Sequence, residues 1–175
     1  MIKESVQKAI VVQIKNEEHS SRLYMSMASW CQANGYPGAS DNLFAQSNEE
    51  RMHMLKFVHY LNDRGGHATL SDLSSPTADF SSLKKLFEAV LKHEEFITEA
   101  INKMYELTLA EKDYTTGNFL QWFITEQIEE EHTVHDILDK MKLAGPDKTG
   151  LYHIDKELGV LAAQKTASLG SADNT

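Results

Sequence analysis

Glu17, Glu50, His53, Glu94, Gln127 and Glu130 are the residues of this chain whose types and spacing could do chemistry. Each lies on a stripe recurring every three or four positions whose other members are mostly apolar. A carboxylate is almost never buried unless something pairs with it, and several at one depth would repel one another and lose their hydration. If an inward acid arose on each stripe by chance about one time in ten, four in one layer would arise on the order of once in 10⁴. Divalent cations are the natural partners, because four carboxylates carry the charge that two such ions neutralise. Glu50-x-x-His53 and Gln127-x-x-Glu130 have i, i+3 spacing, which sets both members of each pair on one helix face. An oxygen-rich set with one imidazole suits iron(II) or manganese(II). It would also take zinc(II), and it offers copper(I) no soft ligand. With one nitrogen ligand and a neutral amide, coordination positions stay open for O₂ or peroxide.

Four long helices must carry these residues. The first is predicted over about Lys3 to Gln32, with the stripe Val6, Ile10, Gln13 or Ile14, Glu17, Ser21, Tyr24, Ala28 and Cys31. Asn34, Gly35, Pro37 and Gly38 are read as its break. The second runs from about Ala39 to Arg64, with Leu43, Gln46, Glu50, His53, Phe57 and Tyr60 on one face, and Gly65-Gly66 ends it. The third runs from Leu83 to Ala110, with Phe87, Val90, Glu94, Ile97, Ile101, Met104 and Thr108 in line. The fourth follows a turn over 111–117, presents Phe119, Phe123, Gln127, Glu130, Val134, Ile137 and Met141, and stops at Gly145-Pro146. Every candidate residue sits near the middle of its helix, so all should meet in one layer whichever way the helices run. Glu129-x-x-His132 offers a competing register, but it lies with Thr125, Asp136 and Asp139 on a polar face.

Loop lengths give the topology. Short links make two antiparallel hairpins, while the Gly-, Ser- and Asp-rich segment 65–82 has no periodicity and must return the chain along the bundle. The expected fold is therefore an all-α four-helix bundle with one long crossover and a short fifth helix, about Asp147 to Leu161. It forms one domain over 1–161, and residues 162–175 are expected to form a polar tail.

Bulk properties exclude other classes. A net charge of −9 argues against nucleic acid or an anionic membrane as partner and suits a protein that attracts cations. No run of about 18 apolar residues could span a membrane. The N-terminus lacks a basic region followed by a long apolar run, and one cysteine, Cys31, cannot make an internal disulfide. A reducing, cytoplasmic setting is expected.

The residues resemble those of the bacterial non-haem ferritins over Met1 to about Leu161. The resemblance is carried by Glu17 with Tyr24 seven residues on, by Glu49-Glu50-Arg51-Met52-His53, by Glu94, and by Glu126-Gln127-Ile128-Glu129-Glu130. It implies a ferritin-like bundle whose di-iron ferroxidase centre uses Glu17, Glu50, His53, Glu94 and Glu130, with Gln127 close by and Glu50 as the bridge. It also implies a third iron site from Glu49, Glu126 and Glu129 with Glu130, and a tyrosine, Tyr24, beside the centre. The implied activity is oxidation of Fe(II) by O₂ or hydrogen peroxide, with storage as ferric oxyhydroxide in a homo-oligomeric shell of twenty-four subunits. Bacterioferritins place a haem-ligating Met directly after the Glu of the second helix. Here Arg51 follows Glu50 and Met52 is one place further, so no haem is expected.

Two alternatives are a di-metal oxidoreductase that retains its metals and a metal-free structural bundle. His19, His59, His67, His93, His132, His135 and His153 are read as surface residues. Glu111 and Asp113 are candidates for a cation entry path.

Overall fold

A computed structural model describes residues 2–172, and among them the chain forms five α-helices and no strand. They are α1 (Glu4–Ala33), α2 (Pro37–Asp63), α3 (Leu83–Ala110), α4 (Tyr114–Ala144) and α5 (Lys148–Ala172). α1 packs chiefly on α2, α3 on α4, and α5 on α2 with a smaller contact to α4. No helix among the described residues is long and apolar enough to cross a membrane.

Helix ends follow local chemistry. Ser82 accepts a hydrogen bond from the Lys85 amide (3.2 Å) and starts α3, and Asp113 accepts from the Thr116 amide (3.2 Å) and starts α4. Thus α4 begins earlier than the turn expected over 111–117, and Gly117 lies inside the helix. Pro37 and Gly38, read as breakers, instead form the first turn of α2. Proline is tolerated there because its missing N–H would have no helical acceptor anyway. Asp155 on α5 takes the place of a local cap, accepting from the amides of Gly38 (3.2 Å) and Ala39 (2.8 Å). A side chain at Gly38 has no room, since an added Cβ would fall 1.8 Å from the Asp155 carbonyl oxygen.

Residues 66–82 form no helix, as expected of a crossover. α2 is 27 residues, about 40 Å at 1.5 Å per residue. An extended segment of this size reaches roughly 55 Å, enough to travel that length.

The core falls into two apolar clusters. One holds Tyr24, Met27, Leu43, Leu86, Phe87, Val134, Ile137 and Leu158. The other holds Ile10, Ile14, Phe57, Leu61, Ile97, Ile101, Leu120 and Phe123. The C-terminal halves of α1 and α4 join the N-terminal halves of α2 and α3 in the first cluster, and the reverse holds in the second. So α2 and α3 run parallel to each other and antiparallel to α1 and α4, as the loop lengths require. In all four helices the candidate residues fall between the two clusters.

Small shifts of register accompany this. Ser20 is fully buried and Ser21 only partly, and Leu120 replaces Phe119 as the buried residue at the start of the α4 face. α5 passes Leu161, where its end was expected. Leu158 and Ala162 bury one face against α2 and carry the helix on to Ala172. Residues 173–175 of the expected tail lie outside the described residues.

Candidate metal centre

Glu17, Glu50, His53, Glu94, Gln127 and Glu130 converge in the layer between the apolar clusters, none more than 6% exposed. The competing pair is turned outward: Glu129 and His132 are exposed. Ligand atoms of Glu17, Glu50 and His53 lie within 4.8 Å of one another, and so do those of Glu50, Glu94 and Glu130. Glu50 belongs to both groups. The geometry therefore offers two ion-sized positions joined by one carboxylate.

Amide donors hold the carboxylates in place. Gln13 Nε2 donates to Glu17 Oε1 (2.8 Å), and Gln46 Nε2 donates to Glu50 Oε1 (2.9 Å) and Glu130 Oε1 (3.1 Å). Gln127 Nε2 donates to Glu94 Oε2 (3.2 Å) and to Thr98 Oγ1 (3.2 Å). The fully buried Tyr24 hydroxyl donates to Glu94 Oε1. His53 Nδ1 lies 3.6 Å from Glu50 Oε2. Glu17 Oε2 and Glu130 Oε2 are buried with no hydrogen-bond partner. Leaving such an oxygen unsatisfied costs roughly 1–3 kcal/mol or more, and a cation removes that cost. Donor chemistry and orphaned oxygens both fit divalent ions.

Burial drives the carboxyls of Glu17, Glu50 and Glu130 well above the ordinary range. Neighbouring carboxylates add to it: Glu50 acts on Glu17, and Glu94 acts on Glu50 and Glu130. Burial, then Glu94, raises the Tyr24 phenol in the same way. A proton source is thus built into the carboxylate layer.

The residues expected at a third site divide. Ligand atoms of Glu49, His53, Glu126 and Glu130 lie within 4.8 Å of one another. Glu129 lines the same cavity of about 410 Å³ but is exposed. Burial raises the Glu126 carboxyl.

Sequence reasoning missed several contributors. Gln13 and Gln46 were on the stripes without a role, although each precedes its glutamate by four residues, the spacing that makes a helical hydrogen bond. Thr98 gave no signal. Lys165, placed in the expected polar tail, is instead carried by α5 into the cavity, where Nζ pairs with the Glu49 carboxylate and Gln46 Oε1. Burial disfavours its ammonium, but Glu49 and Glu130 outweigh that and hold it above the ordinary lysine value.

Other expectations are corrected. His93 is not a surface residue: it is partly buried, with Nε2 2.8 Å from Ser20 Oγ and its ring edge-on to Tyr24 at 5.8 Å. Glu111 and Asp113 are already paired, Glu111 with Lys3 (2.8 Å) and Asp113 with Arg64 (3.1 Å), which weakens their case as a cation path. Cys31 is fully buried, and burial pushes its thiol up to about 12, as befits a core residue rather than a nucleophile.

An all-helical bundle that buries a layer of carboxylates and imidazole suited to paired divalent cations is the class this fold and site define. The chain belongs to the ferritin family: the family model described as a ferritin-like domain matches residues 7–144. It is 41% identical over 165 residues to a protein of Campylobacter jejuni named bacterial non-heme ferritin, covering 94% of this chain and 99% of that one. A Staphylococcus aureus protein of the same name is 35% identical over 159 residues, covering 91% and 96%. Among solved structures, an open pore ferritin of the archaeon Archaeoglobus fulgidus superposes with a TM-score of 0.89 at 39% identity, covering 90% of this chain and 96% of that one. The ferritin-like bundle with its fifth helix is therefore this chain's fold.

Proposed function

We propose that this protein stores iron and is a ferroxidase, oxidising Fe(II) with O₂ or hydrogen peroxide and holding the product as ferric oxyhydroxide inside a shell of twenty-four copies. The observation that carries the reading is Glu50, shared by two groups of ligand atoms in a buried layer. Fe(II) is the substrate. Glu17, His53 and Glu50 receive one ion, and Glu50, Glu94 and Glu130 receive the other. As the ions arrive, the protonated carboxyls give up their protons. Each Fe(II) then yields one electron. With two protons, the pair of electrons converts O₂ to hydrogen peroxide, or hydrogen peroxide to two waters.

Tyr24 and Gln127 orient Glu94 by donating to it, and Gln13 and Gln46 do the same for Glu17 and Glu50. Oxygen ligands with one imidazole suit passage of iron better than permanent retention, so Fe(III) moves on to mineral. Glu49, Glu126, Glu129 and Glu130 hold a further iron at the edge of the centre. Action in the cytoplasm fits the single buried thiol.

Native mass and iron content after aerobic Fe(II) loading test the reading. A large shell holding many irons per chain is expected. Two metals per chain in a small oligomer would make it a resident-metal oxidoreductase, and no metal would make it a structural bundle. In Glu50→Ala the shell should assemble while fast oxidation falls by more than the roughly 10–100-fold typical of losing a ligand's hydrogen-bond partner. Stopped-flow oxidation at the wild-type rate would overturn the assignment.

A further inference from the structure

The cavity beside the paired centre already contains a cation of the protein's own. Leu158, Ala162 and Lys165 recur at helical spacing on α5. The first two are buried and dock the helix, and the third reaches inward. Its Nζ meets the Glu49 carboxylate and Gln46 Oε1. Gln46 then donates through Nε2 to Glu50 Oε1 (2.9 Å) and Glu130 Oε1 (3.1 Å). One glutamine thus ties the ammonium to the shared carboxylate of the paired centre. Close by, Glu130 Oε2 is buried without a hydrogen-bond partner, and Glu49, Glu126 and Glu130 come within 4.8 Å of one another. The cluster therefore keeps an unsatisfied acceptor even with the lysine in place.

We propose that Lys165 is a tethered cation that holds the Glu49–Glu126–Glu130 cluster in the absence of metal and must withdraw when a divalent ion binds there. The inference rests on the reading of that cluster as a third cation site. An ammonium and a divalent ion compete for the same oxygens, because both cannot sit within a few ångströms without strong repulsion. Lys165 therefore weakens the third site selectively: a monovalent or poorly bound ion fails to displace it. Withdrawal also frees Gln46 Oε1, so occupancy of the third site is felt at Glu50 and Glu130 through the Gln46 amide. Lys165 acts as a positioning and selectivity residue, not as a ligand.

Anaerobic calorimetric titration of the assembled full-length protein with Mn(II) tests this. Lys165→Met keeps the aliphatic stem and its packing but removes the charge, and Lys165→Arg keeps the charge. Wild type and Lys165→Arg should show tight binding at the paired centre and one weaker event. In Lys165→Met the weaker event should tighten by about tenfold or more, and the tight sites, reached only through Gln46, should shift by less. A merely structural role for Lys165 would loosen α5 and weaken binding in both variants. Equal affinity of the weaker event in wild type and Lys165→Met would overturn the inference while leaving the paired centre standing. Absence of any weaker event, in Glu49→Ala and wild type alike, would overturn the third-site reading and this inference with it.

Discussion

Glu50 is held between two demands: burial favours its neutral form, and its place in two ligand groups requires the charged one. The same conflict applies to Glu17 and Glu130, and the groups facing the three include His53, Glu94, Glu49, Glu126 and, from α5, Lys165. Their folded-state pKa values are raised above those of the unfolded chain. Their contribution to stability is therefore complete below the ordinary carboxylate range, near pH 4, and is lost as pH rises through the raised values. Metal-free protein should accordingly unfold at progressively lower urea as pH rises above the ordinary carboxylate range, whereas Mn(II), which binds only the ionised ligands, should reverse the trend. Urea midpoints measured as pH is raised, with and without Mn(II), check this, and a flat metal-free profile would contradict it. Residue identity and depth were legible: the stripes placed Glu17, Glu50, His53, Glu94, Gln127 and Glu130 inward, and they are buried. Partners across helices were not, because no periodicity on α4 tells which oxygen of Glu94 the Gln127 amide will find.

At the scale of elements, α5 ties the start of α2 to the end of the bundle. Asp155 supplies both acceptors for the Gly38 and Ala39 amides, and Gly38 supplies the space. Asp155→Ala should lower stability by about 1–2 kcal/mol and speed hydrogen exchange at the first turn of α2. Gly38→Ala should push α5 off α2, since the new Cβ cannot share space with the Asp155 carbonyl. Unchanged exchange in both would mean that α5 does not anchor α2. The four long helices could be read from apolar recurrence, and the crossover from its lack. The second half of α5 could not, because AAQKTAS has no large apolar residue to mark a face. Its helix follows from docking on α2, a tertiary cause. Lys165 was hidden for the same reason: a lysine in a polar stretch acquires meaning only from where the helix carries it.

The whole molecule carries a net charge of −9, counted with every carboxyl ionised. A field of that sign gathers divalent cations and speeds their capture, and salt screens it over about 10 Å at 0.1 M. Raising ionic strength from about 10 mM to about 200 mM should slow the capture of Fe(II) several-fold while leaving oxidation of bound iron unchanged, because the buried layer is poorly screened. Rapid-mixing experiments with Fe(II) premixed or added last separate the two. Equal slowing in both would place the salt effect on the chemistry instead.

Trp122 stands edge-on to His53, ring centroids 5.3 Å apart, with Lys56 Nζ 3.5 Å from its own ring centre. The other tryptophan, Trp30, belongs with Tyr36 and Phe80 in the remote half of the bundle. The chain thus carries an optical gauge of its own centre. An ion with a partly filled d shell, such as Co(II), bound at His53 should quench the indole emission of Trp122, whereas closed-shell Zn(II) should occupy the position with little quenching. Trp122→Phe should abolish the Co(II) response and Trp30→Phe should keep it. Emission that follows Co(II) equally in both variants would place the bound ion away from the His53 ring.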